Sequence, residues 1–478
     1  MLGELDVRWH HALTPLQRRI LLGMALSIVA ALSLLGWSVW STTRHGQPTS
    51  PPPTPTGPTS PLATPTDTPT PTITPSPTAT PTRTPTPTLT PTPVFDPAIA
   101  GIVAADVAEA RGILPRWSTP LTLVDEYDLA VFLYSHYEQS PPLIFQIRAT
   151  LEVLGLWFWD DLQPDPVSQA SHAAALYIPQ EDSIYFRTDW DGALQALVWQ
   201  LAHGYARAIP DQYGSLPALM NDAATLDRRL ALAAVAEGDA LMALWLYAEA
   251  EPGTELATDL RRQIEAATLP RWRIADPLLE DVSRLPLALG ANFAAAQVAL
   301  GGTDALDAAL IRPPRSTEQL LHPERYLSGD EPLILEPHTP PLGREWTLIH
   351  TETVGEALMG LTLLEWSNGV LRPEAAEDWG GDLLQAWERA DGARVALWQM
   401  AWDTSEADIR FYANLAGALP HPLLAEADYD TTPPSTLPAG RWWGGDEGAV
   451  FLRRYADRVW LVWGDDVAAV ELVGQSLR

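Results

Sequence analysis

Residues 46–93 are almost entirely Pro, Thr and Ser, and this segment limits how the chain can fold more than any other. A composition with so few apolar side chains cannot bury a core. Its repeated Thr-Pro steps favour extended polyproline II, which at roughly 3.1 Å per residue gives a reach of about 100 Å or more. We therefore predict a stalk over residues 41–93, with the globular part of the chain on its C-terminal side.

An uncharged apolar run, residues 20–40, precedes the stalk. About 20 residues at roughly 1.5 Å per residue are enough to cross the hydrocarbon core of a membrane. Arginines lie before this run, which indicates that residues 1–19 stay on the cytoplasmic side and that the rest of the chain is extracytoplasmic. A cleaved signal peptide is the alternative. The run ends in Trp-Ser-Val-Trp instead of small residues, and this favours an uncleaved single-pass anchor.

Charge and cysteine content exclude several classes of partner and chemistry. The formal net charge of −30 repels nucleic acid and anionic lipid, so we expect neither to be bound. The chain has no cysteine, which excludes disulfides, zinc–thiolate sites and cysteine nucleophiles. The expected contact with the membrane is made through residues 20–40.

The globular part is predicted to be a mostly helical α+β structure whose composition changes after residue 343. Residues 94–343 form one predicted domain, mainly helical, and residues 344–478 form a C-terminal α+β subdomain. Apolar periodicity predicts helices over 95–112, 123–137, 143–155, 190–209 and 221–250, and a helical pattern over 253–310 with breaks at Pro270, Pro277 and Pro286. Strands are predicted at 174–178 and 183–187 as a hairpin, and then at 346–350, 383–388, 394–402, 450–455 and 458–463.

The helix predicted over 190–209 carries two polar residues on one side. An apolar stripe at helical spacing is formed by Leu194, Leu197, Val198, Leu201, Tyr205 and Ala208. His203 and Arg207 lie four residues apart on the opposite side, so they share a face. This is the spacing of the zinc motif H-E-x-x-H, with Gly204 in place of the Glu and Arg207 in place of the second His.

Glu237 lies in the middle of the apolar stripe of the next long helix, predicted over 221–250. A buried carboxylate without a partner costs several kcal/mol unless it is neutralised or paired. Glu237 therefore needs a metal, an arginine or a raised pKa. The alternative is that the stripe reaches solvent at this position.

Two motifs resemble those of a group of bacterial, envelope-located zinc metallopeptidases of the gluzincin type. Members of that group carry H-E-Y-T-H-A-L-Q-D-Q on one helix and E-G-D-A on the next. This chain has H-G-Y-A-R-A-I-P-D-Q over 203–212 and E-G-D-A over 237–240. The resemblance continues through 314–326 and 379–382 and covers most of 120–415. It implies a zincin-like fold for 94–343, in which a β-hairpin leads into the helix of the active site.

The resemblance also implies roles for individual residues. In such a family the two His and the downstream Glu bind zinc, and the Glu after the first His activates a metal-bound water. His203 and Glu237 match ligands, whereas Gly204 cannot act as a base and Arg207 repels a cation. We therefore expect no cofactor, with zinc as the alternative. We also expect Arg207 to occupy the place of the metal and to pair with Glu237.

Four further residues are predicted to lie behind the former metal site or along its cleft: Tyr177, Tyr205, Asp239 and His322. Asp239 either orients His203 as a hydrogen-bond acceptor or is solvated. His322 either lines the cleft or caps a turn, and the turn is favoured. For His203 itself, the alternative is an ordinary, partly buried histidine.

These observations predict a membrane-anchored, extracytoplasmic pseudo-metallopeptidase without catalysis, with a binding or structural role at the cell envelope. A vacated cleft of this kind still fits an extended peptide along its edge strand. The first alternative is an active hydrolase with an atypical metal set made of His203, Glu237 and another ligand. The second alternative is a module that binds peptides or glycans.

Overall fold

The computed structural model describes residues 95–156, 165–250, 277–371, 373–419, 423–424 and 429–477. The predicted cytoplasmic tail, membrane anchor and stalk lie outside these residues. Within them the protein is an α+β structure with more helix than strand, as predicted.

The helices are α1 Ile99–Arg111, α2 Glu126–Gln139, α3 Leu143–Val153, α4 Pro166–His172, α5 Leu194–Gly214, α6 Leu216–Asp222, α7 Leu226–Ala250, α8 Pro277–Gly301, α9 Thr303–Ile311, α10 Thr317–Leu321, α11 Pro323–Ser328, α12 Gly355–Trp366, α13 Ser405–Ala418 and α14 Val467–Ser476. The strands are β1 Leu121–Val124, β2 Ala175–Ile178, β3 Ser183–Arg187, β4 Trp346–Glu352, β5 Trp379–Arg389, β6 Arg394–Trp402, β7 Arg441–Gly445, β8 Gly448–Tyr455 and β9 Arg458–Gly464.

A three-stranded sheet with the order β1-β3-β2 lies beside α5. The predicted hairpin is confirmed as the antiparallel pair β2–β3, and β1 pairs with β3 in parallel. Side chains alternate between the two faces of the sheet. Ile184 and Phe186 pack against α5, whereas Ile178 and Tyr185 pack against α2 and α4. β2 is therefore an edge strand of this sheet. Along the chain β3 follows β2, and α5 follows β3.

Helix α7 is the central helix of the described chain and packs on α5, α8 and α1. A Cβ atom at Gly238 would lie 2.2 Å from the carbonyl oxygen of Gly290 in α8, so the two backbones are in direct contact there. By length and composition alone α7 could cross a membrane, but 78% of its apolar window is buried inside the protein. Its apolar character is explained by its position in the core.

The C-terminal sheet is antiparallel throughout, with the order β4-β5-β6-β9-β8-β7. One face packs on α12 and α13 and the other on α14. The first of these cores also contains Leu151, Leu226 and Leu230 from the N-terminal side of the chain. The hydrophobic core therefore crosses the predicted domain boundary at 343/344.

Three predicted helices differ from the observed ones. The first two residues of the helix predicted over 123–137 belong to β1, because β3 supplies a parallel partner for them. The helix predicted to end near 209 continues to Gly214 through Pro210, and the next two residues, Asp211 and Gln212, are buried. The helix predicted over 221–250 is divided into α6 and α7, because Glu352 of β4 accepts the N–H of Leu226 and caps a new start there.

Two further corrections concern prolines and a strand. The pattern predicted over 253–310 is described from Pro277, where α8 begins, and Pro286 lies inside this helix instead of breaking it. The predicted break at Pro270 lies outside the described residues. A proline is well tolerated in the first turn, where its missing N–H has no intrahelical partner. β7 was not predicted, because its glycines suggested a turn; its partner β8 completes the hydrogen bonds.

Candidate functional site

His203, Arg207 and Glu237 come together where α5 crosses α7. Arg207 Nε lies 3.4 Å from Glu237 Oε1, and His203 Nε2 lies 3.8 Å from Glu237 Oε2. The side chains of Arg207 and Glu237 are 13% and 20% exposed, and that of His203 is 33% exposed. The predicted ion pair is therefore formed, mostly buried, with His203 at its solvent side.

The pKa values of the pair show that each charge stabilises the other. Burial opposes the charge of Arg207, but Glu237 and then Asp211 outweigh burial, so the pKa of Arg207 is raised. Burial also acts to raise the pKa of Glu237, yet Arg207 and the neighbouring His203 lower this pKa to about 2. Glu237 is accordingly ionised at neutral pH.

A second carboxylate, Asp211, lies one turn beyond Arg207 on α5. Burial raises the pKa of Asp211 to about 6, against the lowering effects of Arg207 and the Tyr177 hydroxyl. Burial and the charge of Asp211 raise the pKa of Tyr177, whose hydroxyl also donates to Asp182 Oδ1 at 3.4 Å. Tyr177 therefore connects the edge strand β2 to the polar side of α5, close to the Arg207–Glu237 pair.

Gly204 faces the small sheet. A Cβ atom at this position would lie 3.2 Å from Ile184 Cδ1 and 3.5 Å from the Cβ of Tyr177. A glutamate at position 204 would require Ile184 to move. The glycine thus permits close packing of α5 on β2 and β3.

Neither interpretation of Asp239 was correct. Asp239 is fully buried, and it accepts hydrogen bonds from Arg111 Nε at 3.1 Å and from Arg111 Nη2 at 2.5 Å. Arg111 Nη2 also donates to Asp307 Oδ1 at 2.6 Å. Arg111 is 128 residues away in sequence and reaches Asp239 because α1 packs on α7. Burial raises the pKa of Asp239, and Arg111 acts against this shift.

Several buried polar atoms in this region have no hydrogen-bond partner among the described residues. They are Arg111 Nη1, Arg207 Nη1, Asp211 Oδ2 and Asp239 Oδ2. Buried polar groups in folded proteins are nearly always bonded to protein or to ordered water. The region thus has hydrogen-bonding capacity beyond the contacts that the protein itself makes.

The residues present at this site do not fit a zinc ion. His203 and Glu237 offer two ligands, and the Arg207 guanidinium lies against the same carboxylate. A fixed cation at this distance repels a divalent ion, and two ligands are fewer than zinc sites use. Neither residue belongs to a group of three or more His, Asp or Glu ligand atoms within 4.8 Å in the described part of the chain.

The other predicted residues have separate roles. Tyr205 is half-buried on α5, and burial raises the pKa of its hydroxyl. His322 lies between α10 and α11, where it is the residue before Pro323, and its Nε2 lies 2.8 Å from Glu356 Oε1. His322 therefore lies at a turn, as favoured, but its side chain does not cap it and instead contacts Glu356 in the C-terminal part of the chain.

Sequence reasoning missed a second carboxylate cluster around an arginine. Arg325 Nη1 lies 3.1 Å from Glu318 and 2.9 Å from Asp330 and also contacts Asp403, while its Nη2 lies 2.9 Å from Asp378. Ligand atoms of Glu318, Asp330 and Asp403 lie within 4.8 Å of one another. Arg325 already supplies the cation for them, so the cluster is an ion network. The acids of this cluster are widely separated in the sequence, so no local pattern indicated it.

A groove lies away from these residues, along α2 on the other face of the small sheet. It has a volume of about 770 Å³. Exposed Tyr127, Val131 and Tyr134 line it, and its charged residues are the acids Asp125, Glu126, Glu138 and Asp189. The groove thus combines an apolar stripe with acidic rims.

Residues 346–474, from β4 to α14, match a protein family described as a domain of unknown function (DUF8575). This match covers the C-terminal sheet and does not include His203, Arg207 or Glu237. No curated protein and no solved structure shows significant similarity to the chain.

Proposed function

We propose that this protein is a membrane-anchored, extracytoplasmic pseudo-metallopeptidase, in which a salt bridge occupies the position of the zinc site. In this proposal residues 20–40 hold the protein in the membrane, residues 41–93 form the stalk, and the described part has a zincin-like core. Its role at the cell envelope is structural or binding, without catalysis. The proposal is suggested by the resemblance of residues 203–212 and 237–240 to the motifs of the zinc metallopeptidase family.

The observation that carries the proposal is the contact of Arg207 with Glu237 at 3.4 Å, beside His203. Two positions that match zinc ligands are adjacent in space, and the cation between their helices is an arginine. The order of elements supports the same conclusion, because the β2–β3 hairpin leads into α5 as expected for zincin-like folds. Gly204 packs against this hairpin and offers no general base.

Metal content tests the proposal directly. The full chain, purified in detergent, is measured for bound zinc together with the variants Arg207→His and Arg207→Gln. We expect no stoichiometric zinc in the wild type or in Arg207→Gln. We expect about one equivalent in Arg207→His, because His203, His at 207 and Glu237 then supply three ligands without a competing cation. The Gln variant is the control for loss of charge alone.

Two results contradict the proposal. Tightly held, stoichiometric zinc in the wild type would support an active hydrolase instead. A folded Arg207→His variant that takes up no more zinc than Arg207→Gln would show that the geometry is not that of a former metal site.

The groove along α2 favours a second candidate function, binding of peptides. A surface with exposed apolar side chains marks an interaction site more often than scattered single residues do. All charged residues that line the groove are acidic, and two of them, Glu126 and Asp189, pair with Arg187. Charge complementarity therefore points to a basic, amphipathic peptide as the ligand.

Three synthetic amphipathic peptides of equal length test this candidate. They share the same apolar face and carry Arg, Gln or Glu on the polar face. Fluorescence anisotropy with the full chain should detect binding of the Arg peptide only, weakened by salt. Tyr127→Ala/Tyr134→Ala should abolish binding, whereas Tyr429→Ala, which removes an exposed tyrosine elsewhere, should not. Equal binding of all three peptides, or binding unaffected by the double substitution, would contradict it.

A further inference from the structure

Asp227, at the start of α7, connects the helical part of the chain to the C-terminal part. Its carboxylate accepts the backbone N–H of Thr317 at 3.1 Å and the Thr317 hydroxyl at 2.5 Å. The oxygen of that hydroxyl accepts the N–H of Ala357, in the first turn of α12, at 3.2 Å. A single threonine therefore links Asp227 to α12.

A second buried acid, Asp382 of β5, holds the same end of α12 from the other side. It accepts the N–H groups of Val354 at 3.0 Å and Gly355 at 2.9 Å. The indole N–H groups of Trp398 and Trp379 also donate to it, at 2.7 and 3.1 Å. The backbone at the start of α12 thus lies between two carboxylates.

Contact between Asp227 and this backbone is close. Gly355 has φ +79, and a Cβ atom there would lie 1.8 Å from Asp227 Oδ1. Only glycine adopts this conformation readily and leaves the space free. The position of α12 is therefore sensitive to any change in the forces around Asp227.

Among the described residues Asp227 forms no ion pair, although the charge of Arg228 acts on it. The charged groups that face this junction are Arg228 and Arg229 on α7, Arg315, Glu318 on α10, His322, Arg325 on α11, Glu331, Glu352 on β4, Glu356 on α12 and Asp382 on β5.

Each cation among them is engaged elsewhere. Arg229 pairs with Glu352 at 2.8 Å, His322 with Glu356, and Arg325 with Glu318. Arg228 Nη1 donates to the carbonyl oxygens of Pro313 and Pro314.

The balance of charge favours the protonated form of Asp227. Burial raises the pKa of Asp227 to about 7, the charges of Asp382 and Glu356 add to this, and the hydrogen bonds from Thr317 oppose it. Burial likewise raises the pKa of Asp382 to about 6, against its four hydrogen-bond donors. Two ionised carboxylates beside one short stretch of backbone repel each other.

We propose that Asp227 and the start of α12 form a proton-controlled latch, in which proton binding at Asp227 tightens the contact of α12 with α7 and α10. Release of the proton leaves an uncompensated charge between Asp382 and Glu356 and loosens this contact. The latch does not depend on the Arg207–Glu237 site or on a former metal.

The direction of the pH dependence follows from the two pKa values. In the folded chain the pKa of Asp227 is about 7, above the value of 3.8 for an exposed aspartate. The folded state therefore binds this proton more tightly than the unfolded state. The stabilisation is fully present below about pH 4 and is lost as the pH rises through about 7.

Hydrogen exchange of the full chain, followed by mass spectrometry, tests the latch at pH 5.5 and pH 8.5. After correction for intrinsic exchange, the amides of 354–357 and Thr317 should be at least tenfold better protected at pH 5.5. In Asp227→Asn, whose amide resembles the protonated acid, protection should be high at both pH values. Asp165→Asn, which alters an acid that also accepts a backbone N–H at an exposed helix start, should behave as the wild type.

Thr317→Val provides a second test that does not require Asp227→Asn to fold. It removes the hydroxyl that joins Asp227 to Ala357, and we expect low protection of 354–357 at both pH values. Wild-type protection that is independent of pH would overturn the proposal. The proposal would also be overturned if amide protection in Asp227→Asn or Thr317→Val depended on pH as it does in the wild type.

Discussion

Asp227 and Glu237 lie in the same helix, α7, and burial acts on both carboxylates in the same direction. Their pKa values nevertheless move apart, to about 7 for Asp227 and to about 2 for Glu237. Arg207 lies 3.4 Å from Glu237, whereas Asp227 receives its hydrogen bonds, within the described part of the chain, from Thr317 alone. The effect of burial on an acid therefore depends on whether a neighbouring helix supplies a cation.

This difference gives the start and the middle of α7 opposite responses to pH. The ionised form of Glu237 stabilises the fold, whereas for Asp227 it is the protonated form that does so. Substitutions at each of the two positions should separate the two contributions.

The largest effect is expected for Arg207→Met. It leaves the Glu237 carboxylate mostly buried without its cation, which costs about 3 kcal/mol in the free energy of unfolding. Urea unfolding at pH 7, followed by circular dichroism, measures this loss. Arg207→Met/Glu237→Leu should recover most of it, because no unpaired charge remains. An Arg207→Met variant as stable as the wild type would show that water effectively solvates the Arg207–Glu237 pair.

Asp227→Asn should raise the free energy of unfolding at pH 8 by on the order of 2 kcal/mol. The shift of its pKa, from 3.8 to about 7, corresponds to at most about 4 kcal/mol, and relaxation of the surroundings reduces this. At pH 4 the wild-type acid is protonated, so the gain should be small. Urea unfolding at both pH values tests the sign of this difference in gain. A gain in stability that is larger at pH 4 than at pH 8 would contradict a stabilising effect of the protonated form of Asp227.

Glu237→Gln should lower the free energy of unfolding by about 1.5 kcal/mol at pH 7, since a charge-assisted contact is lost while Asp211 still stabilises the charge of Arg207. The pKa of Glu237 is lowered from 4.5 to about 2. Its stabilising effect is present above about pH 4.5 and is lost as the pH falls through about 2. Unfolding curves of variant and wild type should therefore converge towards pH 2. A difference that is constant with pH would mean that the charge of Glu237 has no part in the effect.

His203→Ala should have the smallest effect, below about 0.5 kcal/mol. Its Nε2 lies 3.8 Å from Glu237, beyond hydrogen-bond distance, and its side chain is one-third exposed. Thermal unfolding at pH 7 measures the change, with Arg207→Met as the reference for a large loss. An effect as large as that of Arg207→Met would assign His203 a structural role equal to that of the arginine.

The prediction of the Arg207–Glu237 pair had two sources: periodicity showed that Glu237 needs a partner, and the resemblance to the metallopeptidase motifs implied that Arg207 lies beside it. Residues four apart in a helix share a face, and an acid in an apolar stripe needs a partner. The same reasoning failed for Asp239, which faces away from that stripe but is fully buried. Its partner, Arg111, lies on α1, and no pattern within α7 indicates that a third helix covers this side.

By itself the sequence determined most helices, the β2–β3 hairpin and the need of Glu237 for a cation, since these depend on neighbours along the chain. Tertiary structure alone decided that β1 is a strand, that α7 begins at Leu226 and that no described residue forms an ion pair with Asp227. Each of these depends on groups far away in sequence: β3, Glu352 of β4, and Thr317 beside the start of α12. Whether a buried charge is paired is a property of the packed helices, because only packing brings the partner within hydrogen-bond distance.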